Sequence, residues 1–387
     1  MSSPSVRIGI NAHLLSQRAT FRAAGLSRYL IGLLTELREM APPEEIWAYL
    51  AASEAPSELS HTPNFIPVPS SWPTSRPAIR MLWEQSTWPV SLHRDHIGLA
   101  HGPAHVLPLA WPGPSVVTIH DLAFMVDPST FRRRSQVYLR LMVLLAARRA
   151  TRVVTVSEST RRDVIRLLGV PAARVTCVYN GVEARFHPLD SEDQLESFRQ
   201  AQGLKSPFIL YLGTIEPRKN LVRLIDAYAE LRRRGVTRWP LVLAGSVGPL
   251  GTPILDHVAE AGLSETDVRF VGFVPEAEKP LWYNAACLFV YPSQYEGFGL
   301  PVLEALACGT PVVTSDRSSL PEVVGDAAML IDPTDRTAIA DAMQQVLEDG
   351  ALRDRLVSAG LKQAAPFSWR ATADGTMDVY RAALAGA

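Results

Sequence analysis

Cysteine is scarce: Cys177, Cys287 and Cys308 are the only three in 387 residues. They are scattered, and each falls within or beside an apolar run. That pattern builds neither a disulfide framework nor a cysteine metal site, and it fits buried thiols in a reducing compartment. Long apolar runs are missing too. The longest aliphatic stretch, residues 141–147, is far too short to span a bilayer. No secretory pattern opens the chain, which runs from MSSPSVRIGI straight into an apolar strand. A cytoplasmic location is expected. Lysine is the third scarcity, with four residues, none before Lys205. Arginine carries the positive charge instead: residues 1–187 hold 20 Arg against 13 acids, a balance of +7. The remainder balances at −8 and the whole chain at −1. A basic half joined to an acidic half implies that the first half meets something anionic. Acids are absent altogether from Pro128 to Ser157, a segment dominated by a predicted helix over 131–152 with seven Arg. Either this helix is a solvated basic surface, or it meets anionic lipid head groups or a phosphate-bearing acceptor, with the membrane contact peripheral.

The length suits two domains, and 47% apolar against 20% charged residues is ordinary for globular cores. Apolar runs at 6–12, 46–51, 65–68, 114–119, 153–156 and 175–179 read as strands, with helical patterns at 26–40, 78–92 and 157–168 between them. The 78–92 helix carries Trp83 and Trp88 and is interrupted at Pro89. His93, His96, His101 and His105 follow it. Their spacing matches no metal site and no cysteine is near, so they read as loop positions and pocket edges. A hinge is expected over 183–190. The alternation then restarts with strands at 208–212, 241–244, 268–270, 286–291, 310–314 and 329–331, and a last helix over 369–384. Strand–helix alternation of this kind predicts doubly wound parallel sheets, with ligands at the carboxyl ends of the strands.

The densest stretch is Tyr295 to Gly309, YEGFGLPVLEALACG. Gly297 and Gly299 permit a tight turn, and Pro301 suits a first helical turn. Leu303, Leu306 and Ala307 give the helix an apolar face, and Gly309 suits its end. A glycine turn opening a helix aims N–H groups at a phosphate or diphosphate. Glu296 and Glu304 frame it, better placed to accept from sugar hydroxyls than to face phosphate. A nucleotide sugar fits; so does an ordinary strand–turn–helix joint with solvated glutamates. Earlier, a strand ends at His120-Asp121, and another at Gly213-Thr214 followed by Glu216-Pro217-Arg218-Lys219, two cations placed before a helix start.

The chain resembles retaining glycosyltransferase family 4, of GT-B fold, in its mannosyltransferase-like branch. The carriers are Glu296 and Glu304 with seven residues between them around GFGLPVL, then GTIEPRKN, IHDL, TVSESTRRD, NGV and Gly25-Leu26-Ser27-Arg28-Tyr29. The resemblance spans nearly the whole chain. It implies two Rossmann-like domains facing a cleft: an acceptor-side domain over 1–187, a nucleotide-sugar domain over 188–366, and a C-terminal helix over 367–387 crossing back to the first. It implies that Glu296 touches donor-sugar hydroxyls, that Glu304 holds the ribose, and that the amides of Gly297, Phe298, Gly299 and Leu300 hold the diphosphate with Lys219 and Arg218. Gly25, Gly213, Thr214 and Gly245 would face the donor, and backbone groups at Phe273 and Val274 the base. His120 would contact the donor sugar, with Asp121 orienting it or helping to take the acceptor proton. Ala24 stands where the family pairs a second glycine, and Thr214 where some members carry Arg.

The resemblance implies transfer of a hexose with retention, and the absence of any Asp-x-Asp pair is consistent with a metal-independent enzyme. No cofactor or metal is expected, only a donor substrate, with GDP-mannose preferred. The acceptor would be a glycan or lipid-linked glycan of a cell-surface polysaccharide, reached from the cytoplasm or the inner membrane face; no nucleic acid partner is implied. UDP- or dTDP-sugar transfer to a small secondary metabolite, a non-catalytic nucleotide-sugar-binding protein and a sugar-nucleotide epimerase are the rival readings.

Overall fold

The computed structural model describes residues 5–15, 24–51, 56–128, 133–248 and 250–386. The polar stretch RATFRAAG, residues 18–25, reads as a loop in the sequence; its residues 18–23 and Arg132 lie outside the described residues, as do the side chains of Ala24, Arg133, Arg134 and Tyr138, while residues 24 and 25 begin a helix. The chain forms two compact units, Met1–Gly181 with Phe367–Ala387, and Val182–Pro366.

The first unit holds β1 (Arg7–Ala12), β2 (Glu45–Leu50), β3 (Phe65–Pro69), β4 (Leu99–Gly102), β5 (Ser115–Ile119), β6 (Arg152–Thr155) and β7 (Val175–Cys177). They make one parallel seven-stranded sheet in the order β3-β2-β1-β4-β5-β6-β7. Ile8 of β1 is in register with Ile46 on one side and Leu99 on the other. The inner strands β1 and β5 are apolar and almost wholly buried, as expected where helices cover both faces, while the edge strands β3 and β7 are partly exposed. Val117, Ile119 and Val153 pack under Val143, Ala147 and Val164 in one core cluster. Tyr49, Trp83, Trp88 and Leu92 form another.

The second unit holds β8 (Ile209–Leu212), β9 (Leu241–Ala244), β10 (Val268–Gly272), β11 (Leu288–Tyr291), β12 (Val312–Ser315) and β13 (Met329–Ile331). These form a parallel six-stranded sheet, β10-β9-β8-β11-β12-β13. Strand order reverses between β1 and β4 in one sheet and between β8 and β11 in the other. Such reversals open the crevices where doubly wound sheets bind ligands.

Three expectations are corrected. The helix predicted over 78–92 is two helices, Pro77–Gln85 and Thr87–Arg94, broken at Ser86 and not at Pro89. Pro89 lies in the first turn of the second helix, where its missing N–H would have had no intrahelical partner. His101 is not in a loop. It sits in β4, fully buried, with Nε2 2.8 Å from Thr118 Oγ1 and Nδ1 2.6 Å from Tyr380 Oη. The predicted hinge, 183–190, belongs to the second unit. Asn284 fastens it there: its Oδ1 accepts the Leu189 N–H at 2.8 Å, and its Nδ2 donates to the His187 carbonyl at 3.1 Å.

The C-terminal helix Trp369–Ala385 packs within the first unit against the helix Ala24–Met40 and against β5 and β6. Ser368 caps it by accepting the Ala371 N–H at 3.1 Å. Tyr380 reaches from it to His101.

Candidate active site in the second unit

The β8/β11 reversal gathers the site. β8 ends at Leu212, and the chain turns through Gly213-Thr214 into the short helical turn Pro217–Lys219. β11 ends at Tyr291, and Pro292-Ser293 lead to Glu296 and the glycine bend. Lys219 Nζ lies 2.6 Å from Glu296 Oε1 and 2.6 Å from Tyr291 Oη, to which it donates. Arg218 donates to Glu296 Oε2 at 3.2 Å, to the Tyr295 carbonyl at 2.6 Å and to Glu216 Oε1 at 2.9 Å. Ser293 Oγ donates to Glu296 Oε1 at 2.5 Å.

This is a balanced cluster of two acids and two cations. Burial raises the Glu296 pKa, but the charges of Arg218 and Lys219 and the bonds from Lys219 and Ser293 outweigh it and hold the group at about 2. Glu296 is therefore an anion throughout the neutral range, suited to accept hydrogen bonds or to stabilise positive charge, and not to donate a proton. Burial and the neighbouring Arg218 lower the Lys219 pKa, while Glu296 and Glu216 oppose that shift. Glu296 keeps 8% of its surface and Lys219 7%, so both are recessed but not sealed.

The bend is braced from behind. Gly299 has φ +110°, open to glycine at little cost, and a Cβ there would meet Leu320 at 2.7 Å. Pro301 falls in the first turn of the helix Leu300–Ala307, as expected. Ser319 Oγ lies 3.0 Å from the Glu296 carbonyl and 2.7 Å from that of Phe298, and Ser318 Oγ accepts the Glu296 N–H at 2.9 Å. Nothing in the sequence marked Ser318 and Ser319, because they come from the loop after β12. Ser293 and Tyr291 were likewise missed, although both lie close before the motif.

The other expected residues separate. Gly213 and Gly245 do sit at adjacent strand ends, and close packing accounts for both: a Cβ at Gly213 would meet the Tyr211 hydroxyl at 2.8 Å. Gly245 has φ +142°, and a Cβ there would strike the Gly213 carbonyl. Thr214 lies beside them, its carbonyl accepting from Tyr211 Oη at 2.9 Å. Phe273 is exposed and Val274 is buried past the end of β10. Glu304 differs most from its expected role. It has no exposed surface, and Tyr283 Oη donates to its Oε2 at 2.8 Å. In this structure it joins two helices and has no open face toward a ribose.

His120, Asp121 and Gly25 belong to the first unit. His120 Nε2 meets the Pro103 carbonyl at 2.7 Å, which makes Nε2 the protonated nitrogen and leaves Nδ1 with the lone pair. Burial, then His105, pulls its pKa down to about 4 against the Pro103 carbonyl and Asp121, so the ring is neutral at pH 7. The Pro103 carbonyl orients the ring. Asp121 Oδ1 instead accepts the Ala123 N–H at 2.9 Å and starts the next helix. Gly25 lies in the first turn of the helix Ala24–Met40, exposed, with nothing among the described residues within 4 Å of its Cβ position. Among the described residues, no group of three His, Cys, Asp or Glu is placed to hold a metal.

Two doubly wound parallel units, with an acid–cation pair and a glycine bend at the reversal of the second, define the GT-B class of glycosyltransferases. Residues 193–363 match the family model described as glycosyl transferases group 1, and residues 23–186 match that of glycosyltransferase family 4. The O-antigen chain mannosyltransferase B of Escherichia coli is 33% identical over 368 residues, covering 92% of this chain and 96% of that one. The serotype-specific mannosyltransferase WbdA of Escherichia coli is 35% identical over 272 residues, 70% of this chain but 33% of the longer relative. Sucrose-phosphate synthase from Thermosynechococcus elongatus superposes with a TM-score of 0.77 over 99% of this chain and 100% of that one, at 21% identity. The chain belongs to glycosyltransferase family 4.

Proposed function

We propose that the protein transfers a mannosyl residue from a nucleotide diphosphate sugar, with GDP-mannose as the preferred donor, to a growing cell-surface glycan. The observation that carries this reading is the meeting of Lys219 and Glu296 at the β8/β11 reversal, 2.6 Å apart. Similarity to the O-antigen mannosyltransferase over nearly the full length of both chains supports mannose and a polysaccharide acceptor.

In this reading the diphosphate lies at the bend of Gly297 to Leu300 and draws Lys219 and Arg218 partly away from Glu296. Those two cations stabilise the charge that grows on the leaving diphosphate, in the role a metal plays elsewhere. Glu296, freed on one side and still ionised, accepts from donor-sugar hydroxyls. The bond from the anomeric carbon to the diphosphate oxygen breaks, the bond to the acceptor oxygen forms on the same face, and the acceptor proton passes to the departing diphosphate. Configuration is retained, with no metal and no covalent intermediate on Glu296. Ribose contact by Glu304 requires the packing that buries its carboxylate to open.

The acceptor side falls to the first unit, and peripheral contact with an anionic membrane at the cytoplasmic face goes with it. Val137, Leu141 and Leu145 stand 71%, 54% and 38% exposed on the helix Arg133–Arg149, beside exposed Arg140 and Arg148. Among the described residues no helix is long and apolar enough to cross a membrane.

The test is a thermal-shift panel of GDP-mannose, UDP-glucose and dTDP-rhamnose on the wild type and on Lys219→Ala. GDP-mannose is expected to raise the midpoint most, by mass action. Lys219→Ala should lower the transfer rate about 100- to 1,000-fold, the size of one lost charge-stabilising donor. Normal transfer by Lys219→Ala would overturn the diphosphate assignment.

A further inference from the structure

A second group of buried polar side chains lies at the carboxyl end of β1, beside the β1/β4 reversal of the first sheet. The donor reading leaves it unused. Asn11, His13, Thr74 and Glu84 are all buried there. Asn11 joins them: its Oδ1 accepts the His13 N–H at 3.1 Å, and its Nδ2 donates to Glu84 Oε1 at 3.3 Å. His13 is rigidly held. Its ring stacks on Trp83, centroids 3.5 Å apart, Trp83 stacks in turn on Trp88, and its Nδ1 meets Thr74 Oγ1 at 3.0 Å.

Two features of this group are costly for the fold. His13 Nε2 is buried with no hydrogen-bond partner among the described residues, in a residue only 4% exposed. Glu84 is a buried carboxyl whose oxygens meet one long bond from Asn11 and Arg80 Nε at 3.8 Å, too far for a hydrogen bond. A buried polar atom without a partner loses its hydration with no return. One such atom on His13, beside a buried carboxyl held by a single long hydrogen bond, lies at a strand end next to a topological reversal, where a ligand would supply the missing bond.

The chemistry narrows the ligand. An imidazole nitrogen asks for a donor or an acceptor, depending on its tautomer, and a carboxyl oxygen asks for a donor. A hydroxyl answers both. Arg80 beside Glu84 balances the charge locally, which favours neither an anion nor a cation. We propose that Asn11, His13, Thr74 and Glu84 form the acceptor subsite, taking hydroxyls of a neutral glycosyl residue on His13 Nε2 and the Glu84 carboxyl. This rests on the transferase reading for its place in the reaction, but not for its binding chemistry.

The experiment uses the full chain and methyl α-mannoside as the probe, followed by saturation-transfer NMR. The wild type should bind it saturably. His13→Phe, which keeps the stack on Trp83 and removes both nitrogens, should weaken binding about tenfold, the size of one lost hydrogen bond. Glu84→Leu should do the same, and provides a second variant should either fold poorly. GDP affinity should stay unchanged in both. Equal glycoside binding by wild type and variants, or no saturable binding by the wild type, would overturn the subsite. Failure of the wild type to bind any nucleoside diphosphate would instead overturn the donor reading and leave the glycoside result to stand by itself.

Discussion

Glu296 and Glu84 are both nearly buried, and their environments drive them in opposite directions. Glu296 has two cations and a serine hydroxyl on it and stays ionised. For Glu84, burial dominates over Arg80 and the Asn11 bond and pushes the pKa to about 7. The sign of the stability effect follows. The unfolded group titrates near its ordinary value, so below that pH both states are protonated and Glu84 costs nothing. Between that pH and about 7 the unfolded group is ionised while the folded one still holds its proton, so stability falls as pH rises, and the loss is complete above about 7. Glu84→Gln should therefore raise the thermal midpoint at pH 8 and leave it nearly unchanged at pH 4.5. The gain at pH 8 has an upper bound of roughly 3 kcal/mol from the size of the shift. Thermal melts at the two pH values check this, and an equal gain at both would show that packing and not ionisation is responsible. At this scale the sequence was uneven. Lys219 and Glu296 were legible because motif chemistry put a cation and an acid at two strand ends. His13 and Glu84 were not, because an isolated His and an isolated Glu far apart in sequence carry no pattern until Asn11 and Trp83 bring them together.

At the scale of elements, the alternation of apolar strands and amphipathic helices was readable wherever a strand is apolar throughout. β4 was lost because His101 and Gly102 break its pattern. The fold tolerates that polar residue through Thr118 and Tyr380, the latter at the far end of the sequence. The same long-range logic seats the C-terminal helix. Its start lies directly over Gly181, where a Cβ would strike the Ser368 and Trp369 backbone, and over Gly32, where it would strike the Trp369 ring. Backbone does not yield as a flexible side chain does. Gly181→Ala should therefore displace the helix start and cost about 1–3 kcal/mol of stability, as overpacking does. Gly25→Ala is the control, since among the described residues nothing lies within 4 Å of its Cβ position and an exposed helical glycine gains from alanine. Chemical denaturation of the two variants decides it: a Gly181→Ala midpoint equal to wild type would mean that the helix start is not fixed by that contact.

At the scale of the whole molecule, the charge asymmetry seen in the sequence acquires a place. The acid-free segment contributes a helix whose outer face alternates aliphatic and guanidinium groups: Val137, Leu141 and Leu145 with Arg140 and Arg148. Three exposed aliphatic residues at four-residue spacing, flanked by arginines, are the arrangement an interfacial helix would need. The two components predict different dependences. The arginines should give binding to vesicles containing phosphatidylglycerol that weakens with salt, at about 1 kcal/mol per Arg near the surface. The aliphatic groups should give a salt-resistant remainder. Arg140→Glu with Arg148→Glu should thus abolish the salt-sensitive part of co-sedimentation, and Leu141→Asp with Leu145→Asp the salt-resistant part. Because all four side chains are exposed, neither pair should lower the thermal midpoint appreciably. Co-sedimentation unchanged in both pairs would leave this helix as an ordinary solvated surface and separate acceptor recognition from the membrane. Loss in the arginine pair alone would keep the anionic contact and remove insertion.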